Sequence, residues 1–214
     1  MKLYNYFRSS ASFRVRIALN WKALPFDYAP VHLLKDGGQQ LRPEFRAMNP
    51  DALVPALDDD GVIVTQSLAI IEYLEEMHPQ PPLLPRDAVQ RAYVRSVALA
   101  IACEIHPLNN LRVLRYLVKT LGLSEEQKNV WYRHWVEQGL ASLEARLNAE
   151  QRTGRYALGD AVTLADVVIV PQIFNAQRVD CSLAHVPTIM RIFGNCMQLP
   201  AFIDAQPSGQ PDAE

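Results

Sequence analysis

The chain has little of several things that would fix its chemistry at once. Its three cysteines, Cys103, Cys181 and Cys196, are odd in number and far apart, with no Cys-x-x-Cys pair. That excludes a disulfide framework and the usual cysteine spacing of a zinc site. They read as reduced, buried thiols of a cytoplasmic protein. The five histidines form no ligand cluster, so no metal is expected. An excess of either charge is also missing: 21 Lys and Arg stand against 23 Asp and Glu, a net −2. Nothing there argues for nucleic acid or a membrane surface as a partner. No apolar run reaches spanning length; the densest, 162–170, is interrupted by Thr163 and Asp166 and closed by Pro171. The chain opens on a strand-like pattern without a signal peptide, and it has no repeats. What remains is an ordinary globular composition, 49% hydrophobic and 21% charged, long enough for one large domain or two small ones.

The first eighty residues alternate strand and helix. Residues 1–6 read as a strand, 10–21 as a helix with Phe13, Ile17 and Trp21 on its apolar stripe, and 26–33 as a second strand. A short helical piece is expected near 43–47. Two strands, 54–57 and 62–64, are joined by Asp58-Asp59-Asp60-Gly61, a strong hairpin signal. A helix over 67–77 follows, and the order implies a mixed sheet covered by helices. The run His78-Pro79-Gln80-Pro81-Pro82-Leu83-Leu84-Pro85 is the best boundary. It separates an α/β domain over 1–80 from an all-helical domain over 88–214. In the second, Ser124 with Gln127 and Thr163 with Asp166 read as helix starts. The tail 207–214 reads as frayed.

Three places in the first domain combine into a possible binding frame. Ser9, in the turn Arg8-Ser9-Ser10-Ala11-Ser12, stands where a helix begins, and its hydroxyl either caps that helix or holds an anion or thiolate at the helix's positive end. Gln66-Ser67 offers the same choice at the next long helix. Val54-Pro55 opens a strand; proline there donates no hydrogen bond and often takes a cis bond, which leaves the Val54 backbone available to an extended peptide. A small peptide with a carboxylate at one end and a thiol in the middle would satisfy all three.

Together these features resemble the zeta class of the glutathione transferase family. The motifs run along nearly the whole chain: 9–19 around the serine loop, Asp36-Gly37-Gly38-Gln39-Gln40, Val54-Pro55, Gln66-Ser67, Asn109-Asn110-Leu111, Gly159-Asp160, Thr163-Leu164-Ala165-Asp166 and Asn175-Ala176-Gln177-Arg178. Val-Pro and Gln-Ser support the superfamily; the serine loop and the Asp-Gly-Gly-Gln-Gln run support the zeta class. The resemblance implies a thioredoxin-like first domain, a helical second domain, glutathione bound between them, and a homodimer. Residue by residue, it implies that Gln66 and Ser67 hold the γ-glutamyl end, that the Val54 backbone pairs with the cysteinyl unit, and that Gln40 approaches the glycine end. It also implies that His106 and Asn110 line the helical wall and that Ser9, with Ser10 and Ala11 beside it, faces the sulfur. Zeta enzymes commonly carry cysteine where this chain has Ala11, so the nucleophile implied is glutathione's own sulfur.

The implied activity is a glutathione-dependent cis–trans isomerisation of a maleyl-keto acid in aromatic-compound breakdown. Thiolate addition to the conjugated double bond, rotation and elimination return the trans isomer and the unconsumed thiol. Such a substrate is a small dicarboxylate, and arginine recognises carboxylates in a bidentate way. Arg8 and Arg178 are the first candidates for that clamp and Arg112 the next, while Arg115 is as readily a surface residue. Arg14 and Arg16 read as structural, facing solvent or pairing with acids. The extra cation Arg112 and the small Ala11 favour maleylpyruvate over maleylacetoacetate. The alternatives are a general glutathione transferase or haloacid-processing enzyme, and a non-catalytic binding protein.

Overall fold

The computed structural model describes residues 1–214. The chain forms two compact units, one of Met1–Leu83 with Gln198–Glu214 and one of Leu84–Met197.

The first unit is built on a four-stranded mixed sheet. Strand β1 (Lys2–Asn5) runs parallel to β2 (Asp27–Pro30) and antiparallel to β3 (Ala56–Asp59), which pairs antiparallel with β4 (Val62–Thr65), in the order β2-β1-β3-β4. The β3–β4 turn is Asp60-Gly61, with φ of 50° and 90°, the left-handed pair that a two-residue hairpin needs. Helix α1 (Ser10–Trp21) carries the crossover from β1 to β2, and α3 (Ser67–Met77) packs beside it. Leu3, Val15, Ile17, Leu57, Ile70 and Leu74 are fully buried between sheet and helices. A second cluster, Tyr6, Phe7, Val31, Phe45 and Val54, closes the end of the sheet from which the site loops emerge, with α2 (Pro43–Met48) supplying Phe45.

The second unit is helical. Helix α4 (Ala88–Leu99) widens into π-helical turns over Ala100–Ile105 and a tight turn over His106–Asn109. Helices α5 (Leu111–Lys119), α6 (Glu125–Glu150), α7 (Leu164–Arg178) and α8 (Pro187–Cys196) follow. Both expected capping boxes form, Ser124 with Gln127 on α6 and Thr163 with Asp166 on α7. Helix α7 is the core of this unit, buried without a break from Leu164 to Ile173. The Asp166 carboxylate accepts from the Ala157 and Thr163 amides and the Thr163 hydroxyl; its complete burial pushes its pKa up to about 6, against those hydrogen bonds.

Three expectations are corrected. The segment Gln198–Glu214 packs on the first unit instead of closing the helical domain. Its short helix α9 (Pro200–Ile203) lies against α1, and its tail, expected to fray, is anchored: Asp212 accepts from the Phe7 amide and the Tyr28 hydroxyl, and Glu214 pairs with Lys35. Arg14 and Arg16 are buried, not solvent-facing: Arg14 donates to Ser67 Oγ, and Arg16 donates to Asn5 Oδ1 and to backbone carbonyls inside the unit. Cys103 is exposed, since the π-helical turns direct Ile101 and Ile105 inward and leave Cys103 and Glu104 outside. Cys181 and Cys196 are buried free thiols, as expected. No helix is long and apolar enough to cross a membrane.

Candidate active site

The sheet register explains how distant loops in the first unit come to one edge. Tyr4 pairs with Ala56 and Ala56 with Thr65, so the end of β1, the start of β3 and the end of β4 lie side by side. Parallel β2 ends there too, at Pro30 beside Asn5. From that edge emerge the serine loop, the loop carrying Gln40, Val54-Pro55 and Gln66-Ser67. Ligands of such folds bind in the crevice beyond the strand ends.

Ser9 is the N-cap of α1: its Oγ accepts from the Ser12 amide at 3.2 Å. The capping reading is therefore realised, and it complements the binding one. With the oxygen engaged as acceptor, the hydroxyl proton is the group Ser9 has to donate. Ser10 is buried in the first turn and Ala11 half-buried beside it. Arg8 rests with its guanidinium 5.9 Å from the centroids of the Tyr6 and Phe7 rings.

The peptide Val54-Pro55 is cis. The pairing of β3 begins only at Ala56, and the Val54 amide and carbonyl enter no backbone hydrogen bond of the chain. Gln66 holds φ 69° and ψ 118°, in the left-handed half of the map that a non-glycine residue rarely occupies. That conformation turns the chain sharply from β4 into α3, whose first amides have no helical partner. Ser67 stands at this end, and its Oγ accepts from Arg14 Nη1 at 3.3 Å. Arg14 thus brings the starts of α1 and α3 together and sets a buried cation behind Ser67. Its place five residues after Ser9 is the only trace of this role in the sequence.

Gln40 is 6% exposed, and its Oε1 has no hydrogen-bond partner. Gly38 makes this placement possible: its φ is 112°, and a Cβ there would stand 2.8–2.9 Å from the Gln40 amide. His32 orders the same loop, taking the Leu34 and Lys35 amides on Nδ1.

In the second unit, His106 is half-buried in the turn that follows the π-helical segment. Asn110 caps α5, its Oδ1 accepting from the Arg112 amide at 3.1 Å. Arg112 is exposed on the first turn of α5. Neighbouring Asn109, absent from the expected set, has both side-chain amide atoms buried without a partner. Trp131 of α6 steadies this turn by donating to the Leu108 carbonyl at 2.8 Å. Arg178 ends α7 and meets the phenol of Tyr132; burial raises the Tyr132 pKa, and the charge and hydrogen bond of Arg178 oppose the rise.

Comparison with known proteins gives one answer. Residues 3–82 match the glutathione S-transferase N-terminal domain. A probable maleylacetoacetate isomerase of Vibrio cholerae is 47% identical, over 99% of this chain and 97% of its own. A holo structure of a maleylpyruvate isomerase, described as a bacterial glutathione S-transferase of the zeta class, is 46% identical, covers 100% of both chains and has a TM-score of 0.97. A maleylacetoacetate isomerase of Methylobacterium extorquens AM1, solved with malonate and glutathione, is 41% identical, covers 100% of both chains and has a TM-score of 0.96. With the serine loop, the cis Val-Pro and the Gln-Ser helix start all in place, the chain belongs to the zeta class of the glutathione transferase family.

Proposed function

We propose that this protein is a glutathione-dependent cis–trans isomerase of a maleyl-keto acid, with maleylpyruvate favoured over maleylacetoacetate. The observation that carries the reading is Ser9: a hydroxyl at a helix N-terminus whose oxygen accepts from the Ser12 amide and whose proton is the group it can offer a thiolate. The donor set beside it fits a tripeptide thiol. The Val54 amide and carbonyl suit an extended peptide unit, the buried Gln40 Oε1 suits an N–H donor, and the start of α3 with Ser67 suits a carboxylate.

When bound, glutathione supplies a thiolate that adds reversibly to the conjugated double bond and so lets it rotate. The protein's own part is electrostatic and positional. Ser9 donates to the sulfur and favours its ionised form at neutral pH. Gln66 and Ser67 receive the γ-glutamyl carboxylate, with Arg14 reinforcing Ser67 from behind. Val54 holds the cysteinyl unit and Gln40 the glycine end; His106 and Asn110 are assigned to the helical wall, with Ser10 and Ala11 flanking the sulfur. Arg8, Arg112 and Arg178 are the cations assigned to the substrate's two carboxylates and to the charge that develops on the carbonyl oxygen. Tyr132 keeps Arg178 oriented.

We take the protein to act in the cytoplasm as a homodimer; sedimentation at micromolar concentration is expected to give twice the 24.1 kDa chain mass, and a monomer would remove the dimer from the account. The substrate is tested by following both maleyl-keto acids side by side with glutathione. Faster turnover of maleylpyruvate is expected. Faster turnover of maleylacetoacetate would reverse the preference, and turnover of neither would end the reading.

A further inference from the structure

The turn from Tyr6 to Ser9 presents both Arg8 and Ser9, and groups with no part in the chemistry hold it. The Tyr6 carbonyl accepts from the Ser9 amide at 3.0 Å and from Arg16 Nη1 at 3.3 Å. The Phe7 carbonyl accepts from Arg16 Nη2 at 2.9 Å, and the Phe7 amide donates to Asp212 Oδ2 at 3.1 Å. Both backbone polar groups of Phe7, the residue before Arg8, are therefore clamped. Arg16 is 1% exposed and also reaches Asn5 Oδ1 and the Ala205 carbonyl, each at 3.0 Å. The other oxygen of Asp212 accepts from the Tyr28 hydroxyl, which ties it to β2. Ala205 and Asp212 lie in the segment 198–214, which thus grips the turn twice: directly through Asp212 and indirectly through Arg16.

We propose that Asp212 is a positioning residue for the isomerisation, acting through the Phe7 amide to aim Arg8 and the Ser9 hydroxyl. The proposal rests on the functional reading above, which gives those two residues their roles. Its physical basis is the bond geometry. A charged acceptor on an amide makes a stronger and more directional bond than water does. A catalytic group displaced by even an ångström can slow turnover by orders of magnitude. The glutathione contacts assigned to Val54, Gln66 and Ser67 come from other elements, so loosening this turn should leave them in place.

The test is Asp212→Ala in the full chain, assayed well below its unfolding temperature. Turnover is expected to fall about tenfold while the KM for glutathione stays within about threefold of wild type. The pKa of the bound glutathione thiol, followed by ultraviolet thiolate absorbance, should move up toward that of free glutathione. Asp212→Asn keeps an oxygen for the Phe7 amide and should retain most of the activity. Combined with Ser9→Ala, Asp212→Ala should slow the Ser9→Ala enzyme by less than it slows wild type. Should Asp212→Ala not fold, Tyr28→Phe removes the hydroxyl that orients Asp212 and should lower turnover about threefold with the same thiol signature. A lowered melting temperature with turnover and thiol pKa unchanged would overturn the proposal, as would a loss seen only in glutathione KM. Failure of the underlying functional reading looks different: Ser9→Ala alone would then show wild-type turnover and thiol pKa.

Discussion

Replacing Ser9 with alanine removes two interactions that can be measured separately. The first is the cap on Ser12, seen at 3.2 Å; its loss costs about 1 kcal/mol of stability, and with glycine at the cap only a few tenths. The second is the hydrogen bond to a thiolate, about 1.5–3 kcal/mol for a charged acceptor, or about one to two pKa units on the bound thiol. A free thiol near pKa 8.5 is only a few per cent ionised at pH 7. Without Ser9 the bound thiol returns toward that value, and turnover at pH 7 should fall by about tenfold to thirtyfold. Ser9→Gly separates the two effects. Ser9 sits at φ −71° and ψ 118°, a conformation that every residue reaches, so glycine should recover most of the stability lost with alanine and none of the thiolate. Thermal unfolding reads the cap, and ultraviolet titration of the enzyme–glutathione complex reads the thiol. If Ser9→Gly and Ser9→Ala both keep a low thiol pKa and wild-type turnover, the hydroxyl is a cap alone and the reasoning fails.

Other expectations follow from the same geometry. Arg8→Ala and Arg178→Ala should each raise the KM for the dicarboxylate substrate or slow the chemistry by about tenfold; steady-state kinetics unchanged in both would dismiss the clamp. Arg14→Met should weaken glutathione binding by about tenfold, because Ser67 loses a charged partner; calorimetry giving wild-type affinity would return Arg14 to a purely structural role. Asp166 bears on pH. Its folded pKa, about 6, lies above the ordinary aspartate value of 3.8, so the folded state binds this proton more tightly than the unfolded one. Its contribution is complete below about pH 4 and is lost as pH rises through 6. The unfolding free energy of wild type minus that of Asp166→Asn should therefore fall between pH 4 and pH 7, and a flat difference would contradict the assignment.

What can be read from the sequence is local. The hairpin at Asp60-Gly61, the capping boxes at Ser124 and Thr163 and the helix start at Ser10 each depend on residues within four positions of one another. Turn and cap chemistry dictates them without reference to the rest of the fold. The role of Arg14 stays hidden because its partner, Ser67, lies far along the chain; that of Arg16 stays hidden because three of its four acceptors are backbone carbonyls, of Tyr6, Phe7 and the distant Ala205, which leave no mark in the sequence. The anchoring of 207–214 is hidden for the same reason: its polar, proline-bearing composition is that of a loose end, and only the Phe7 amide and the Tyr28 hydroxyl reveal otherwise. Asn109 escapes notice beside Asn110 because adjacent asparagines look alike until one is seen to cap α5 and the other to bury an unpartnered amide. Cys103 departs from expectation because an average preference for burial does not register the π-helical turns that swing it outward.

The central claim is that the sulfur doing the chemistry is borrowed and returned. The direct test is to convert maleylpyruvate with purified enzyme and limiting glutathione, and to measure the trans product and the remaining free thiol in the same sample. The account predicts many turnovers per glutathione, no reaction without it, and all of the thiol recovered at the end. Thiol consumed in proportion to substrate, with a conjugate as the product, would show a transferase and contradict the account.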